Sequence, residues 1–245
     1  MNSFIGWIGG KRALKNEIIS RFPKDFERYI EVFGGAGWVL FGKQPNKFEV
    51  FNDADRYLIN LYKQIKYNCD ELQNEIDRIH SRELFNDYKL SLSTDDLTDV
   101  QRAARYYYII KHSFGSNKGS FATSVKGNRA DILNDISQRL QTVIVENQDF
   151  ERIIKTYDRE KALFYCDPPY LNTEKYYSCS FSFADHKRLY NILSEIKGKF
   201  ILSYNDCEFI RSLYKDYNII DLSRKNQLLA GSNHREFKEV LITNY

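Results

Sequence analysis

The sequence predicts an α/β fold: a mostly parallel, helix-covered sheet with an antiparallel hairpin at one edge and a mainly helical segment inserted into it. Three observations lead there. Short β-branched and aromatic runs alternate with helical periodicities in both the first and the last thirds of the chain. The stretch from 63 to 139 is polar and charged, with long gaps between strand signals. The final two strand signals are separated only by a loop, which makes them antiparallel neighbours.

In chain order, seven of the twelve glycines fall within the first 42 residues, where backbone must turn tightly or approach a ligand. Lys11 to Arg21 carries apolar residues at helical spacing and stops before Pro23. Tyr29-Ile30-Glu31-Val32-Phe33 reads as a strand, Gly34-Gly35-Ala36-Gly37 breaks it, and Trp38-Val39-Leu40-Phe41 opens a helix. Phe48 to Phe51 is a second strand, ending where Asn52-Asp53-Ala54-Asp55 offers a helix cap. After the insert, strand signals return at 142–145, 162–166, 200–204, 217–220 and 239–243, with helical stretches at Phe183 to Ile196 and Glu208 to Tyr214. The resulting units are 1–62 with 140–245, and the insert 63–139.

Composition narrows the class. The chain has 245 residues, 42% hydrophobic and 15% aromatic, and a net charge of +3, so it can bury a sizeable core and is neither a polybasic nor an acidic disordered protein. It has no run of roughly 18 apolar residues to span a bilayer, and MNSFIGWIGGKR lacks the pattern of a secretion signal. A cytoplasmic protein is expected. Cys69, Cys166, Cys179 and Cys207 form no C-x-x-C pair, and His112 and His186 are isolated, so no metal is expected.

Two motifs carry chemistry. Asp167-Pro168-Pro169-Tyr170 follows a buried strand directly, at the strand's carboxyl end, where open α/β sheets bind ligands. Two prolines stiffen the loop and remove competing N–H donors. The Asp167 carboxylate and Pro168 carbonyl then form a paired acceptor for a group that donates two hydrogen bonds, such as an exocyclic amine of a base, with Tyr170 available to stack. A Pro-rich turn with an Asp cap is the alternative. Glu31 to Gly37 runs from strand into a glycine turn and a helix. Gly35 and Gly37 would fit the start of a dinucleotide fingerprint, but Leu40 stands where the third glycine belongs, which disfavours NAD. Asp53, closing the next strand, sits where related folds hold a ribose hydroxyl. A nucleoside cofactor without a pyrophosphate fits, as does a purely structural turn.

With both motifs in view, the chain resembles the Dam-type (D12 class) DNA adenine N6-methyltransferases of the α motif order. Phe4 to Lys11 resembles the family's W-x-G-G-K opening, Glu31 to Gly37 its E-x-F-x-G-x-G loop, and Asn52-Asp53 its ribose acid. Asn147-Gln148-Asp149-Phe150 resembles the segment flanking the cofactor's adenine, and Asp167 to Tyr170 matches the catalytic tetrapeptide. Phe181 to His186 with Leu189, Ser203-Tyr204-Asn205 and Lys238 to Tyr245 also resemble family segments.

The resemblance implies a Rossmann-like S-adenosylmethionine-dependent methyltransferase sheet, with methyl transfer to N6 of an adenine flipped out of duplex DNA. It implies S-adenosylmethionine as cofactor, held by Trp7, Lys11, Phe33, Gly34, Gly35, Gly37, Asp53, Asp149, Phe150 and Asp167. Asp167, Pro168, Pro169 and Tyr170 would be catalytic. Tyr176 and Tyr177, just after this loop, either close over the base or pack as ordinary surface aromatics. Lys11, a cation at a helix start, needs a partner in or beside the cofactor site.

Residues 100–130 carry six Lys/Arg and no Asp or Glu, a pattern suited to phosphate contacts. Arg105, Lys111, Asn117, Lys118, Lys126 and Arg129 are the expected DNA contacts, and in the family this region recognises the target. The alternative is a solvated helix and loop. Ser113 to Lys118 matches the arginine and asparagine pattern of GATC-reading enzymes poorly, so the target need not be GATC. A monomer working alone or beside a separate restriction endonuclease, in a prokaryotic cell or a virus-infected host, completes the expectation. The competing functions are cytosine N4 methylation, a catalytically silent DNA-binding protein, and an RNA substrate.

Overall fold

In a computed structural model, which describes residues 1–124, 132–171, 181–224 and 237–245, seven strands form one sheet. They are β1 (Arg28–Glu31), β2 (Phe48–Asn52), β3 (Val143–Glu146), β4 (Ala162–Cys166), β5 (Lys199–Asn205), β6 (Asn218–Arg224) and β7 (Phe237–Thr243). Their order is β3-β2-β1-β4-β5-β7-β6. The β1–β2, β2–β3, β1–β4 and β4–β5 pairs are parallel, whereas β7 runs antiparallel to both β5 and β6. The antiparallel edge is therefore as expected, with the detail that β7 inserts between β5 and β6.

Each strand buries alternate residues on opposite faces, which follows from the two-residue period of a strand. Tyr29, Phe51, Leu163 and Tyr165 join one core, and Ile30, Val50, Phe164 and Cys166 the other. The second face is covered by α8 (Phe150–Tyr157), α9 (Phe183–Ser194) and α10 (Glu208–Leu213). The first is covered by α1 (Lys15–Ser20), α2 (Trp38–Gly42), α3 (Arg56–Tyr67), α4 (Cys69–Glu75), α6 (Asp99–His112) and α7 (Ile132–Leu140). Helix α5 (Arg82–Ser91) packs on α6 through Phe85, Tyr108 and Ile109.

Local chemistry sets the helix starts. The Asp55 side chain caps α3 by accepting from the N–H groups of Tyr57 and Leu58, and Thr98 with Gln101 forms a capping box on α6. Helix α1 begins four residues later than its periodicity suggests, because Lys11 to Leu14 form a turn that leaves the Lys11 side chain buried among the strand ends. Helix α3 runs through position 62/63, and Ile65, Leu72, Tyr107 and Leu133 share one continuous core with Tyr29 and Leu163 of the sheet.

The strand order reverses between β1 and β4. Glu31 and Tyr165 lie opposite each other there, and the loops leaving the carboxyl ends of the two strands diverge to open a crevice.

Candidate active site

That crevice is a cavity of about 340 Å³, walled by the glycine loop after β1, the acids after β2, the start of α8 and the loop after β4. Gly35 adopts φ +50° and donates its N–H to Asp53 Oδ2 at 2.8 Å, so the turn and the acid are one unit. A side chain on Gly35 would place its Cβ 2.8 Å from the Trp7 ring, which leans on this loop. Asp53 Oδ1 accepts from the Asp55 N–H at 2.8 Å. Burial pushes the Asp53 carboxyl up to about 6, against the two N–H donors that favour its charged form.

Opposite this acid, the rings of Phe33, Phe150 and Phe181 stand 5.6 to 5.8 Å apart and form an aromatic wall. Asp149 caps α8, and the Arg188 guanidinium joins Asp149 at 3.0 Å, Glu151 at 3.0 Å and Asp185 at 2.7 Å while lying over the Phe150 ring. On the floor, Glu31 accepts from the Tyr29 hydroxyl at 2.6 Å, and burial raises its carboxyl to about 8. The Tyr165 hydroxyl beside it is buried with no hydrogen-bond partner among the described residues.

At the end of β4, Asp167 Oδ1 meets Lys11 Nζ at 2.7 Å, and Lys11 also donates to the Gly9 carbonyl at 2.9 Å. Glu239 of β7 approaches the same ammonium at 3.7 Å. Burial raises the Asp167 carboxyl to about 6; Lys11 opposes that shift and Glu239 adds to it. The partner that Lys11 needs is thus Asp167. Tyr170 is 6% exposed, with its hydroxyl donating to Glu239 at 2.8 Å and bonded to Ser203 at 2.9 Å, and the Lys11 ammonium over its ring.

Of the expected cofactor residues, Trp7, Lys11, Phe33, Gly34, Gly35, Asp53, Asp149, Phe150 and Asp167 line the cavity together, with Pro169 of the tetrapeptide. Gly37 instead caps α2 at φ +65°, packed on Phe41 and Tyr62, and neither it nor the buried Pro168 and Tyr170 line the cavity. Further wall residues carry a sequence signal without being expected in the site: Glu31 and Phe181 stand in the family-like segments, Asp55 in the helix cap and Tyr165 on the strand before Asp167, whereas Arg188, which joins Asp149 and Asp185, carries none.

The expected DNA contacts separate. Asn117 is exposed, and its Oδ1 accepts from the N–H groups of Gly119 and Ser120. Arg105 lies over the Tyr88 ring and Lys111 over Tyr107. Lys118 turns inward, to Asp55 Oδ2 at 3.3 Å and the Tyr106 hydroxyl at 3.1 Å. Arg102, counted in the basic cluster, binds the carbonyls of Leu92, Thr94 and Leu97 and so fastens the turn between α5 and α6. Lys126, Arg129, Tyr176 and Tyr177 lie outside the described residues.

His186 bonds the Tyr204 hydroxyl at 2.6 Å and His112 the Tyr108 carbonyl at 2.9 Å, both buried. Among the described residues no three His, Cys, Asp or Glu side chains converge as metal ligands, and no helix is long and apolar enough to cross a membrane.

The chain is 30% identical to the Type II methyltransferase M1.LlaDCHI of Lactococcus lactis subsp. cremoris, over all of this chain and 96% of that protein. It is 28% identical to the Type II methyltransferase M.CviBI of Paramecium bursaria Chlorella virus NC1A, over 92% of this chain and 91% of that one. Against the DNA adenine methylase of Haemophilus influenzae the figures are 25%, 86% and 82%. The family model described as D12 class N6 adenine-specific DNA methyltransferase matches residues 7–228, and the chain belongs to that family.

Proposed function

We propose that the methyl donor of this DNA adenine methyltransferase is S-adenosylmethionine and that Asp167 with the Pro168 carbonyl holds the adenine amino group for transfer. The observation that carries the reading is the Lys11–Asp167 pair, 2.7 Å apart, on the wall of the same cavity as Asp53 and the Gly35 turn.

The residues fit the donor. The Phe33, Phe150 and Phe181 rings suit a purine, and Asp53 suits ribose hydroxyls. The partly buried acids Asp53 and Asp167, ionised above about pH 6, suit a ligand carrying a sulfonium and an ammonium. Bound there, the donor supplies an electrophilic methyl group.

The chain's own residues do the positioning. Above pH 6 the Asp167 carboxylate only accepts hydrogen bonds, and with the Pro168 carbonyl it takes both protons of the neutral amine. This aims the nitrogen and keeps its electron density available for attack, a contribution from orientation and electrostatics. Lys11 favours the ionised form of Asp167 despite its burial. The amine lies inside the duplex, so the base is flipped out before it reaches Asp167. The Tyr170 ring, one face of which lies against the Lys11 ammonium, supports this edge of the site.

The segment 63–139 serves target recognition in this reading. Support comes from Phe114, 71% exposed beside exposed Asn117 in a loop that also touches the cavity wall through Lys118 and Trp7. The Type II names of two relatives support a companion restriction endonuclease acting separately; in this reading the chain works as a monomer. Relatives from bacteria and a virus support work in the cytoplasm of a prokaryotic cell or infected host.

The test uses S-adenosylmethionine with a deuterated methyl group and unmethylated genomic DNA, followed by mass spectrometry of the nucleosides. Trideuteromethyl-N6-adenine from the wild type and none from Asp167→Ala is the expected result. Product from Asp167→Ala at the wild-type rate, or no label transfer, overturns it.

A further inference from the structure

The loop after α6 closes on itself through Phe114 N–H to the Ser120 carbonyl at 2.8 Å and Ala122 N–H to the His112 carbonyl at 2.7 Å. Inside it Gly115, Ser116 and Lys118 all have positive φ, 55°, 59° and 59°. Two non-glycine residues in the left-handed region are strained and persist only where surrounding contacts impose that conformation. Those contacts come from the cofactor side. Ser116 packs so tightly on Gly6 that a Cβ at Gly6 would lie 2.3 Å from its Oγ. The Lys118 ammonium sits 4.2 Å from the centre of the Trp7 ring, 3.3 Å from Asp55 Oδ2 and 3.1 Å from the Tyr106 hydroxyl. Trp7 and Asp55 are cavity walls, and the Asp55 N–H is bonded to Asp53. The opposite side of the loop exposes Phe114 and Asn117.

We propose that Lys118 is a positioning residue that couples occupancy of the cavity to the conformation of the 113–121 loop, so that donor and duplex bind cooperatively. The inference rests on the reading of the cavity as the S-adenosylmethionine site and of the loop as DNA-facing. A ligand that fixes Trp7 and Asp53 fixes the ring and, through the Asp55 N–H, the carboxylate that hold Lys118; Lys89 donates to the Gly119 carbonyl at 2.8 Å and ties the loop to α5, whereas Lys118 ties it to the cavity wall. Such coupling is reciprocal: whatever factor the donor adds to duplex affinity, the duplex adds to donor affinity.

Sinefungin, a non-reacting analogue of the donor, is the probe. Binding to a methyl-free duplex is measured with and without it for the wild type, Lys118→Met and Lys118→Arg. In the wild type sinefungin tightens duplex binding by roughly 5- to 150-fold. In Lys118→Met that ratio falls to one, and Lys118→Arg, which restores the charge, recovers part of it. Amide exchange of residues 114–121 in the wild type slows when sinefungin is added without DNA. An unchanged ratio in Lys118→Met, or loop exchange indifferent to sinefungin, overturns the proposal while leaving the proposed function intact. Failure of the wild type to bind sinefungin overturns both.

Discussion

Lys11 lies between two carboxylates, 2.7 Å from Asp167 and 3.7 Å from Glu239, and these two neighbours of the reacting edge pull the Asp167 carboxyl in opposite directions. Lys11 lowers it, Glu239 raises it, and burial leaves it at about 6. Only the ionised form accepts both amine protons, so kcat at saturating donor falls about tenfold per pH unit below pH 6. Lys11→Met moves that acid limb upward and Glu239→Gln moves it downward. Initial rates of methyl transfer across pH 5 to 8 check this, and a limb unmoved by both changes means that another group titrates. Asp53, also raised to about 6, is separated from Asp167 by the choice of parameter, since in the proposed site it contacts the donor and so acts on KM.

Glu31 predicts a stability profile. Its carboxyl is raised from 4.5 to about 8, chiefly by burial, so the folded chain holds a proton that the unfolded chain releases. This contribution is complete below pH 4.5 and is lost as pH rises toward 8, with a slope of up to about 1.4 kcal/mol per pH unit. Asp53 and Asp167 shift the same way but are spent by pH 7, which leaves Glu31 the dominant member of the three above it. Urea unfolding at pH 6.5 and 8.5 shows the loss in the wild type, and Glu31→Gln, neutral throughout, flattens it.

A methyl group at Gly35 meets two objections, a φ of +50° and a Trp7 ring atom 2.8 Å away. The backbone term alone is about 1–2 kcal/mol. Displacing Trp7 deforms the cavity wall, so with the proposed donor site there Gly35→Ala lowers sinefungin affinity by roughly tenfold or more in calorimetric titration. Gly115 has φ +55° but nothing within 4 Å of an added Cβ, so Gly115→Ala carries the backbone term without touching the cavity wall. Equal loss of sinefungin affinity in both variants removes the steric explanation.

The sequence exposes what depends on local rules and conceals what depends on contacts between distant segments. The Gly34 to Gly37 turn and the Asp167 to Tyr170 loop are visible because glycine and proline mark backbone that no other residue makes easily. Their meeting at the β1–β4 reversal follows from strand order, which the alternation implies without stating. Helix α8 goes unread although Phe150, Ile153, Ile154 and Tyr157 have helical spacing, because eight residues between two strands give little periodicity to count. Lys118 shows the limit most plainly. Its neighbours in sequence are those of a phosphate-binding loop, but Asp55, 63 positions away, takes its charge. The Arg188 cluster joins α8 to α9 in the same long-range way.

Glu49 of β2, fully buried, bonds Arg139 of α7 at 2.6 and 2.9 Å and pairs with Lys43. The last helix of the inserted segment is therefore fastened to the sheet by charge as well as by Leu133, Ile136 and Leu140. Removing one member of a buried ionic group leaves its partners in a medium that solvates them poorly, a loss on the order of 3 kcal/mol for Arg139→Met, moderated by Lys43. If the segment and the sheet unfold as one unit, that loss lowers a single transition midpoint seen alike by far-ultraviolet dichroism and by tryptophan fluorescence, since Trp7 and Trp38 both pack against the shared core. Two transitions, with only the dichroism-detected one shifted in Arg139→Met, mean instead that 63–139 unfolds separately and that the continuous core couples it to the sheet only weakly.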